Sequence, residues 1–253
     1  MLILSVLLLT LVPQSENKLT ISKVRPTLVG LGPTRPDTDF QPGDVMHVTF
    51  DVAGFMLDTE GRYRYSAKVD VENSAGKLVF SEDYGSSPAR LALLGNGKTR
   101  FAFHLPIPAD QPSGNYKVRL TLTDTIGKKT GVLEQPYRVL SPSFGLVRLQ
   151  TLPSSCIGTV GEVFNVGMQA INLAKNSEGL GHLELTLEVK DSNGKVLGKP
   201  QVNSFKDVSV NEPLLLRFEL PLDQAGKFQL VFKGVDKVNG RSATVTVPIN
   251  VIE

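Results

Sequence analysis

Residues 101–124 have the sequence FAFHLPIPADQPSGNYKVRLTLTD, which predicts a strand, a proline-rich corner and a second strand. In the second strand, apolar residues alternate with polar ones from Tyr116 to Thr123, so one face is apolar and the other faces water. Residues 218–236, FELPLDQAGKFQLVFKGVD, repeat the order of strand, corner and strand. A unit that occurs twice in one chain indicates a repeated domain.

The two copies align along most of their length. Gly43 and Gly161 precede matching strands and are 118 positions apart, and this spacing is kept over the first three strands. The spacing has fallen to 112 between Asp124 and Asp236 (positions 124 and 236). A constant spacing that later shortens at loops is what duplication of one domain, followed by small deletions, produces. Two copies indicate tandem domains rather than a solenoid.

The chain has 253 residues, of which 41% are hydrophobic and 21% are charged. This is enough apolar material for two domains with cores of their own, and it argues against a disordered chain. The net charge is only +2, and no basic stripe with interleaved aromatic residues occurs. Nucleic acid is therefore not an expected partner.

Residues 1–12, MLILSVLLLTLV, form an apolar run that is shorter than the roughly 20 residues needed to cross a bilayer. Its length is typical of the apolar core of a secretory signal peptide, although a basic start and a clean cleavage site are missing. We expect residues 1–17 to be a signal peptide or an N-terminal anchor, with an ordinary first strand as the alternative. The protein is accordingly predicted to be secreted, periplasmic or at the cell surface, without a membrane-spanning segment.

From Leu19 onward, short segments of alternating polarity are separated by Gly, Pro, Asn, Asp and Ser clusters, and no helical periodicity occurs. About seven strands in each half predict an all-β chain of two tandem Ig-like antiparallel β-sandwich domains. Pro142 interrupts the pattern, which places the domains at residues 18–141 and 142–253. Within the first domain, we expect the strand Leu19–Arg25 to be extended by Leu28–Leu31.

The run from Phe103 to Val118, followed by LTDTIG at residues 122–127, resembles bacterial Ig-like and macroglobulin-type sandwich domains. The shared pattern is a Leu-Pro pair, a proline-rich corner, Gly-x-Tyr-x-Val and a later Asp-x-x-Gly. The resemblance implies the sandwich fold and no particular function. In the second copy Phe228 replaces Tyr116, so any tyrosine hydroxyl bond that pins the corner can form in the first domain alone. No thioester Cys-Gly-Glu-Gln motif is present, so covalent capture is not implied.

The residue types that carry catalysis are sparse and scattered. Cys156 is the single cysteine, and His47, His104 and His182 are isolated, without a second histidine at zinc-ligand spacing. No Gly-x-Ser-x-Gly nucleophile motif, phosphate-binding loop or dinucleotide fingerprint occurs. We therefore predict no catalytic residue, no cofactor and no metal ligand.

Two groups of residues have a second interpretation. The acids Asp37, Asp39 and Asp44, and the pair Glu82 and Asp83, carry the oxygen ligands that Ca²⁺ prefers, but turn-forming and solvated acids are the favoured interpretation. The segment Arg62–Tyr65 alternates arginine with tyrosine. It is expected to bury its tyrosines and expose its arginines, with a role as an interface hot spot as the alternative.

These observations favour a non-catalytic structural or adhesive interaction protein of the cell envelope, with a protein or a cell-surface component as partner. Binding would use loops at one end of a sandwich, an exposed edge strand or the groove between the domains. The alternative is a carbohydrate-binding or other accessory module of an extracellular enzyme. The absence of Trp and the presence of only five Tyr weaken that alternative, because sugar sites use exposed aromatic platforms. No signature of a pilus-type chaperone is present, and the oligomeric state does not follow from the sequence.

Overall fold

The computed structural model describes residues 18–92 and 98–253, and the predicted signal peptide at residues 1–17 lies outside the described residues. The described part of the chain contains strands, turns and loops, and no helix. Four of its sheets form two antiparallel sandwiches in tandem. The predicted fold class is thereby confirmed.

The strands of the first sandwich are β1 (Thr20–Thr27), β2 (Asp39–Phe40), β3 (Val45–Ala53), β4 (Arg62–Tyr63), β5 (Tyr65–Asn73), β6 (Leu78–Ser86), β7 (Arg90–Leu91), β8 (Lys98–Pro106), β9 (Gly114–Asp124) and β10 (Thr130–Val139). Those of the second are β11 (Gly145–Leu152), β12 (Ile157–Thr159), β13 (Val163–Ile171), β14 (Gly181–Asp191), β15 (Val196–Val208), β16 (Leu214–Pro221), β17 (Gly226–Asp236) and β18 (Ser242–Ile252).

Each sandwich packs a three-stranded sheet against a five-stranded sheet. The sheets of the first have the orders β1-β3-β8 and β2-β10-β9-β5-β6, and those of the second have β11-β13-β16 and β12-β18-β17-β14-β15. The two orders correspond strand by strand, which is the structural form of the sequence repeat. The first sandwich has one addition, a small ribbon in which β4 pairs with β7.

Each sandwich has its own hydrophobic core between its sheets, built by the inward half of the alternating residues. In the first core, Val48 and Phe50 of β3 meet the inward residues of β5 and β9, such as Val69 and Leu120. The second core is centred on Phe164 and includes every other residue of β14 from Leu183 to Leu187.

Two features of the strand pattern differ from the expectation. Leu28–Leu31 does not extend β1, because the chain leaves the sheet after Thr27 and turns back, with the Leu28 N–H donating to the Pro33 carbonyl at 2.9 Å. The short strands β2 and β12, which pair in parallel with β10 and β18, and the paired strands β4 and β7 were not predicted. All four have three residues or fewer, too few to show a polarity pattern.

The corner after β8 has the tyrosine bond that the resemblance implied. The Tyr116 hydroxyl donates to the Pro112 carbonyl at 2.8 Å, and the ring is buried beside Tyr137, with ring centroids 5.5 Å apart. Phe228 occupies the matching position on β17 and has no hydroxyl to donate.

Replacing Tyr116 with phenylalanine is expected to lower the free energy of unfolding by about 1 kcal/mol, because the Pro112 carbonyl loses its partner. Urea denaturation followed by tyrosine fluorescence measures this. The matched control is Phe228→Tyr, which adds a hydroxyl at a corner of different length and should bring no gain. A higher free energy of unfolding for Phe228→Tyr, with no decrease for Tyr116→Phe, would contradict the stabilising role of the bond from Tyr116 to Pro112.

Candidate functional site

The first sandwich is open along the side where β6 and β8 form the edges of its two sheets. The sheet that contains β6 has five strands and the facing sheet has three, and every residue of β6 is exposed. A groove of about 310 Å³ lies in this opening. We call it the β6–β8 groove: its sides are Tyr84 and residues 101–104, and its floor includes Ala67, Val69 and Leu120.

Aromatic rings hold the β8 side of the groove in place. Phe101 stacks on Phe50 of β3 with ring centroids 5.7 Å apart, and it meets Tyr65 of β5 edge-on at 5.2 Å. Aromatic pairs of this kind contribute about 0.5–1.5 kcal/mol beyond the area that they bury. The groove is therefore a preformed feature of the sandwich.

β6 exposes large apolar side chains on its inner face. Phe80 lies opposite Val71 of β5 and Glu82 lies opposite Val69, and both valines are buried in the core. Directly paired residues of an antiparallel ladder share a face, so Phe80 and Glu82 project from the core side of the sheet. Nevertheless, Phe80 is 41% exposed and Tyr84 is 54% exposed, since no strand lies opposite them.

A carboxylate accompanies these aromatic side chains. Glu82 is two positions from Tyr84 on the same strand, and burial, together with the neighbouring Glu82 side chain, raises the pKa of Tyr84 above its ordinary value. The rim of the groove combines an aromatic surface with one negative charge.

The corresponding edge strand of the second sandwich is protected against pairing. β15 contains Lys199, Pro200 and Lys206, and Gly198 has a positive φ of 69°, so the strand is irregular as well as charged. Lysine, proline and bulges are the usual means by which proteins prevent an edge from pairing with another chain. β6 contains no lysine and no proline, and its first four residues are Leu, Val, Phe and Ser.

The two sandwiches are joined by a loop of the first domain that inserts into the second. Val29 is 2% exposed and belongs to the hydrophobic cluster of the second sandwich. The loop is held by its own bonds, from the Gly32 N–H to the Val29 carbonyl at 3.0 Å and from the Thr27 hydroxyl to the Gly30 carbonyl at 3.0 Å. A side chain at Gly32 would lie 2.6 Å from Val29 Cγ2, so the tight fold of the loop requires glycine there.

This loop is an addition to the first copy. Arg25 and Gln150 are the first paired residues after the bulge of each opening strand, β1 and β11. The first copy then has 14 positions to β2 (25 to 39), whereas the second has seven to β12 (150 to 157). The additional seven residues form the interdomain contact that the second copy lacks.

Hydrogen bonds around Asp44 complete the junction. The Arg148 N–H donates to the Asp44 carboxylate at 2.9 Å, and the Arg148 side chain donates to the Gly43 carbonyl at 2.7 Å. Gln41 and Ser143 exchange two further bonds, at 3.0 and 3.3 Å. The relative placement of the sandwiches is thus fixed by an apolar contact and by charged and polar contacts.

The acids that suggested calcium are bound by arginine instead. Arg35 contacts both Asp37 and Asp44, and Arg138 pairs with Asp39, which lowers the pKa of the Asp39 carboxyl. Glu82 and Asp83 point to opposite faces of β6, because their partners on β5 are consecutive residues. In residues 18–92 and 98–253, no three His, Cys, Asp or Glu side chains are grouped so as to hold a metal ion.

The structure brings two of the three histidines together. His47 and His104 lie opposite each other on β3 and β8, with ring centroids 6.3 Å apart. Burial, and next the neighbouring His104, lower the pKa of His47. His182 lies in the second sandwich, where its ring is 2.9 Å from the Ser204 hydroxyl. Cys156 is buried, burial raises the pKa of its thiol, and the Thr151 hydroxyl lies 3.5 Å from its Sγ.

The arginine–tyrosine segment is placed as its alternation predicts. Tyr63 is buried and stacks on Phe55 with ring centroids 4.8 Å apart, while Arg64 is exposed. Arg62 is paired with Asp58. Tyr65 is half-buried and lines the β6–β8 groove, a role that depends on the missing strand opposite β6 and has no signature in the segment itself.

Comparison with known proteins finds no matching family model and no matching curated protein. Among solved structures, the C-terminal domain of the Streptococcus agalactiae AgI/II polypeptide BspA is 10% identical, covers 90% of this chain and 99% of its own, and has a TM-score of 0.33. Dimeric latent PorU from Porphyromonas gingivalis is 14% identical, with coverage of 96% and 21% and a TM-score of 0.39. Red sea bream transglutaminase is 10% identical, with coverage of 93% and 31% and a TM-score of 0.29.

Sequence identities of 14% or less and TM-scores of 0.39 or less carry no functional inference. In residues 18–92 and 98–253, there is no helix with the length and hydropathy needed to cross a membrane.

Proposed function

We propose that this protein is an exported, non-catalytic interaction module that binds a protein partner through the open side of its first sandwich. The observation that carries the proposal is the contrast between the two equivalent edges. β15 has lysines and a proline, whereas β6 has neither and exposes Phe80 and Tyr84. Edges that must stay apart from other chains are normally protected in this way, so the unprotected β6 marks the side of the first sandwich that is adapted to receive a partner.

The second sandwich acts as a scaffold in this proposal. Val29 and the contacts of Asp44 with Arg148 hold it against the first, so that it keeps a constant position relative to the binding edge. A fixed arrangement reduces the conformational entropy that binding must otherwise remove. Protein recognition of this kind requires neither metal nor cofactor, in keeping with the sparse chemistry of the sequence.

Export is tested by fractionating cells that produce the full chain. The expected result is a chain recovered from the culture fluid, the periplasm or the cell surface, shortened if residues 1–17 are cleaved as a signal peptide. Recovery of the complete chain in the cytosol alone would overturn the proposed location.

Binding is tested in the same cells with a photoreactive amino acid introduced at Phe80 or, as the matched control, at Leu197. Leu197 is 36% exposed on the equivalent edge strand β15 and lies opposite Val189, as Phe80 lies opposite Val71, so its accessibility and its face of the sheet are comparable. We expect a covalent adduct of defined mass from position 80 and none from position 197. Equal labelling at both positions, or none at position 80, would contradict binding at the open side of the first sandwich.

A further inference from the structure

We infer that the β6–β8 groove binds an extended protein segment, which pairs with the free edge of β8 and inserts alternate apolar side chains beneath β6. The inference deepens the proposed function and rests on it. It names the surface that is used, the conformation of the partner and the pattern of its side chains.

The groove follows the outer edge of β8. Within the described residues, β8 pairs with β3 alone and is the last strand of its sheet. Every residue from Phe101 to His104 contributes to the groove, whichever face of the strand it projects from. The groove therefore runs along the backbone edge, where alternate N–H and C=O groups point away from β3. Such a row of donors and acceptors selects an extended peptide.

The two sheets of the first sandwich differ in size, with five strands facing three. A strand added beside β8 would lie about 4.8 Å from it and would face the inner side of β6 across the sandwich. Phe80 projects from that inner side, Tyr84 lines the groove, and both rings are exposed. An added strand would convert this exposed apolar surface into core, and the burial of apolar surface favours binding.

The second sandwich fills the corresponding space with side chains of its own chain. Phe205 of β15 lies opposite Leu183 and packs against the second core, as do Val208 and Val210. The residue that matches Leu183 at the 118-position spacing is Tyr65. Its neighbour in the first sandwich is Ser87, whose N–H donates to the Tyr65 carbonyl at 2.7 Å. A serine thus stands where the second copy has phenylalanine, and the missing apolar side chain must come from a partner.

The charges beside the groove refine the partner. Glu82 lies opposite the buried Val69 and projects from the core side of β6, so it places a carboxylate beside the groove. Arg90 lies over the Tyr65 ring at the other end, 5.8 Å from the centroid. The favoured segment has apolar residues at alternate positions, a basic residue facing Glu82 and an acidic residue near Arg90.

The test uses the purified chain and a displayed library of ten-residue peptides in which every position is randomised. Selected peptides should have apolar residues at every second position. N-methylation of single amides should then separate the amides that face β8 from those that point away from it. Methylation of the amides that face β8 should weaken binding by about tenfold or more, equivalent to about 1.4 kcal/mol, and methylation of the others should not. Equal effects of both sets would overturn pairing with β8.

Two variants locate the site. Tyr84→Ala removes an exposed ring, and Ala67→Leu fills the floor of the groove with an apolar side chain, so neither should unfold the sandwich. Both are expected to weaken peptide binding about tenfold or more, whereas Val202→Ala on β15 is the control and should not. Circular dichroism of each variant verifies the fold. Unchanged binding in Ala67→Leu would place the peptide outside the groove and overturn the inference.

Other occupants give distinct results. Binding of a free oligosaccharide on a glycan array, lost in Tyr84→Ala, would replace the peptide by a carbohydrate. A dimer in sedimentation analysis that Ala67→Leu abolishes would replace it by a second copy of the chain. If peptides fail to bind while position 80 still gives an adduct in cells, this inference falls and the proposed function stands. If no peptide binds and position 80 gives no adduct, the inference and the proposed function are both contradicted.

Discussion

Replacing Val29 with aspartate is expected to uncouple the two sandwiches, so that they unfold in two separate transitions. The Val29 side chain lies in the hydrophobic cluster of the second sandwich. A carboxylate at this position would be charged, unpaired and cut off from water, which costs several kcal/mol. The interface opens instead, and the second sandwich exposes the apolar surface that Val29 covers. We expect that sandwich to lose about 2–3 kcal/mol of its free energy of unfolding.

Urea denaturation measures the loss, and small-angle X-ray scattering should show a larger radius of gyration for the variant. The matched control is Val24→Asp, because Val24 lies on the preceding strand and is 41% exposed. It should change the free energy of unfolding by about 0.5 kcal/mol or less. Val29→Ala removes two methyl groups without adding charge, so its loss in the free energy of unfolding should lie between those of Val24→Asp and Val29→Asp. An unchanged scattering profile for Val29→Asp would show that the loop does not hold the domains together.

Removing either of two buried carboxylates is expected to destabilise its own sandwich by about 3 kcal/mol, because two backbone N–H groups lose their acceptor. Asp124 accepts from the Met56 N–H at 2.7 Å and from the Ile126 N–H at 3.0 Å. Asp236 accepts from the matching Ala174 and Val238 N–H groups at 2.8 and 3.0 Å. Both aspartates are fully buried at the end of the strand that follows the corner.

The experiment compares Asp124→Ala and Asp236→Ala by urea denaturation, with tyrosine fluorescence reporting the first sandwich, which contains all five tyrosines. The controls are Asp110→Ala and Asp223→Ala, whose side chains are exposed in loops of the same two sandwiches. Each control should stay within about 0.5 kcal/mol of the unaltered chain. A loss below about 1 kcal/mol in both buried positions would mean that water replaces the carboxylate as acceptor.

The β5–β6 hairpin shows how far the candidate site follows from the sequence. Polarity alternation and the turn at residues 73–76 predict the two strands, and both are present. The exposure of Phe80 and Tyr84 could not be predicted in this way, because the local pattern is that of an ordinary half-buried strand. Their exposure depends on how many strands the facing sheet contains, which is a property of the whole sandwich.

The loop at Val29 shows the opposite kind of failure. Leu28–Leu31 has the apolar character of a strand, and its burial is real, but the core that buries it belongs to the other domain. Similarly, the acids Asp39 and Asp44 have the composition of a cation site, whereas their actual partners are arginines that lie close only in the folded chain. Composition identifies a chemical capacity, and long-range contacts decide how it is used.

The strand–corner–strand unit at residues 101–124 illustrates what the sequence determined without the structure. Alternation, turn residues and the repeat are local or periodic properties, so they predicted two all-β sandwiches, and the tyrosine at 116 indicated the pinned corner. The tertiary structure alone decided that the first strand of this unit, β8, is the edge of its sheet and lies beside an open groove. That outcome depends on strands of different sheets meeting across the core, and no spacing along a single strand records it.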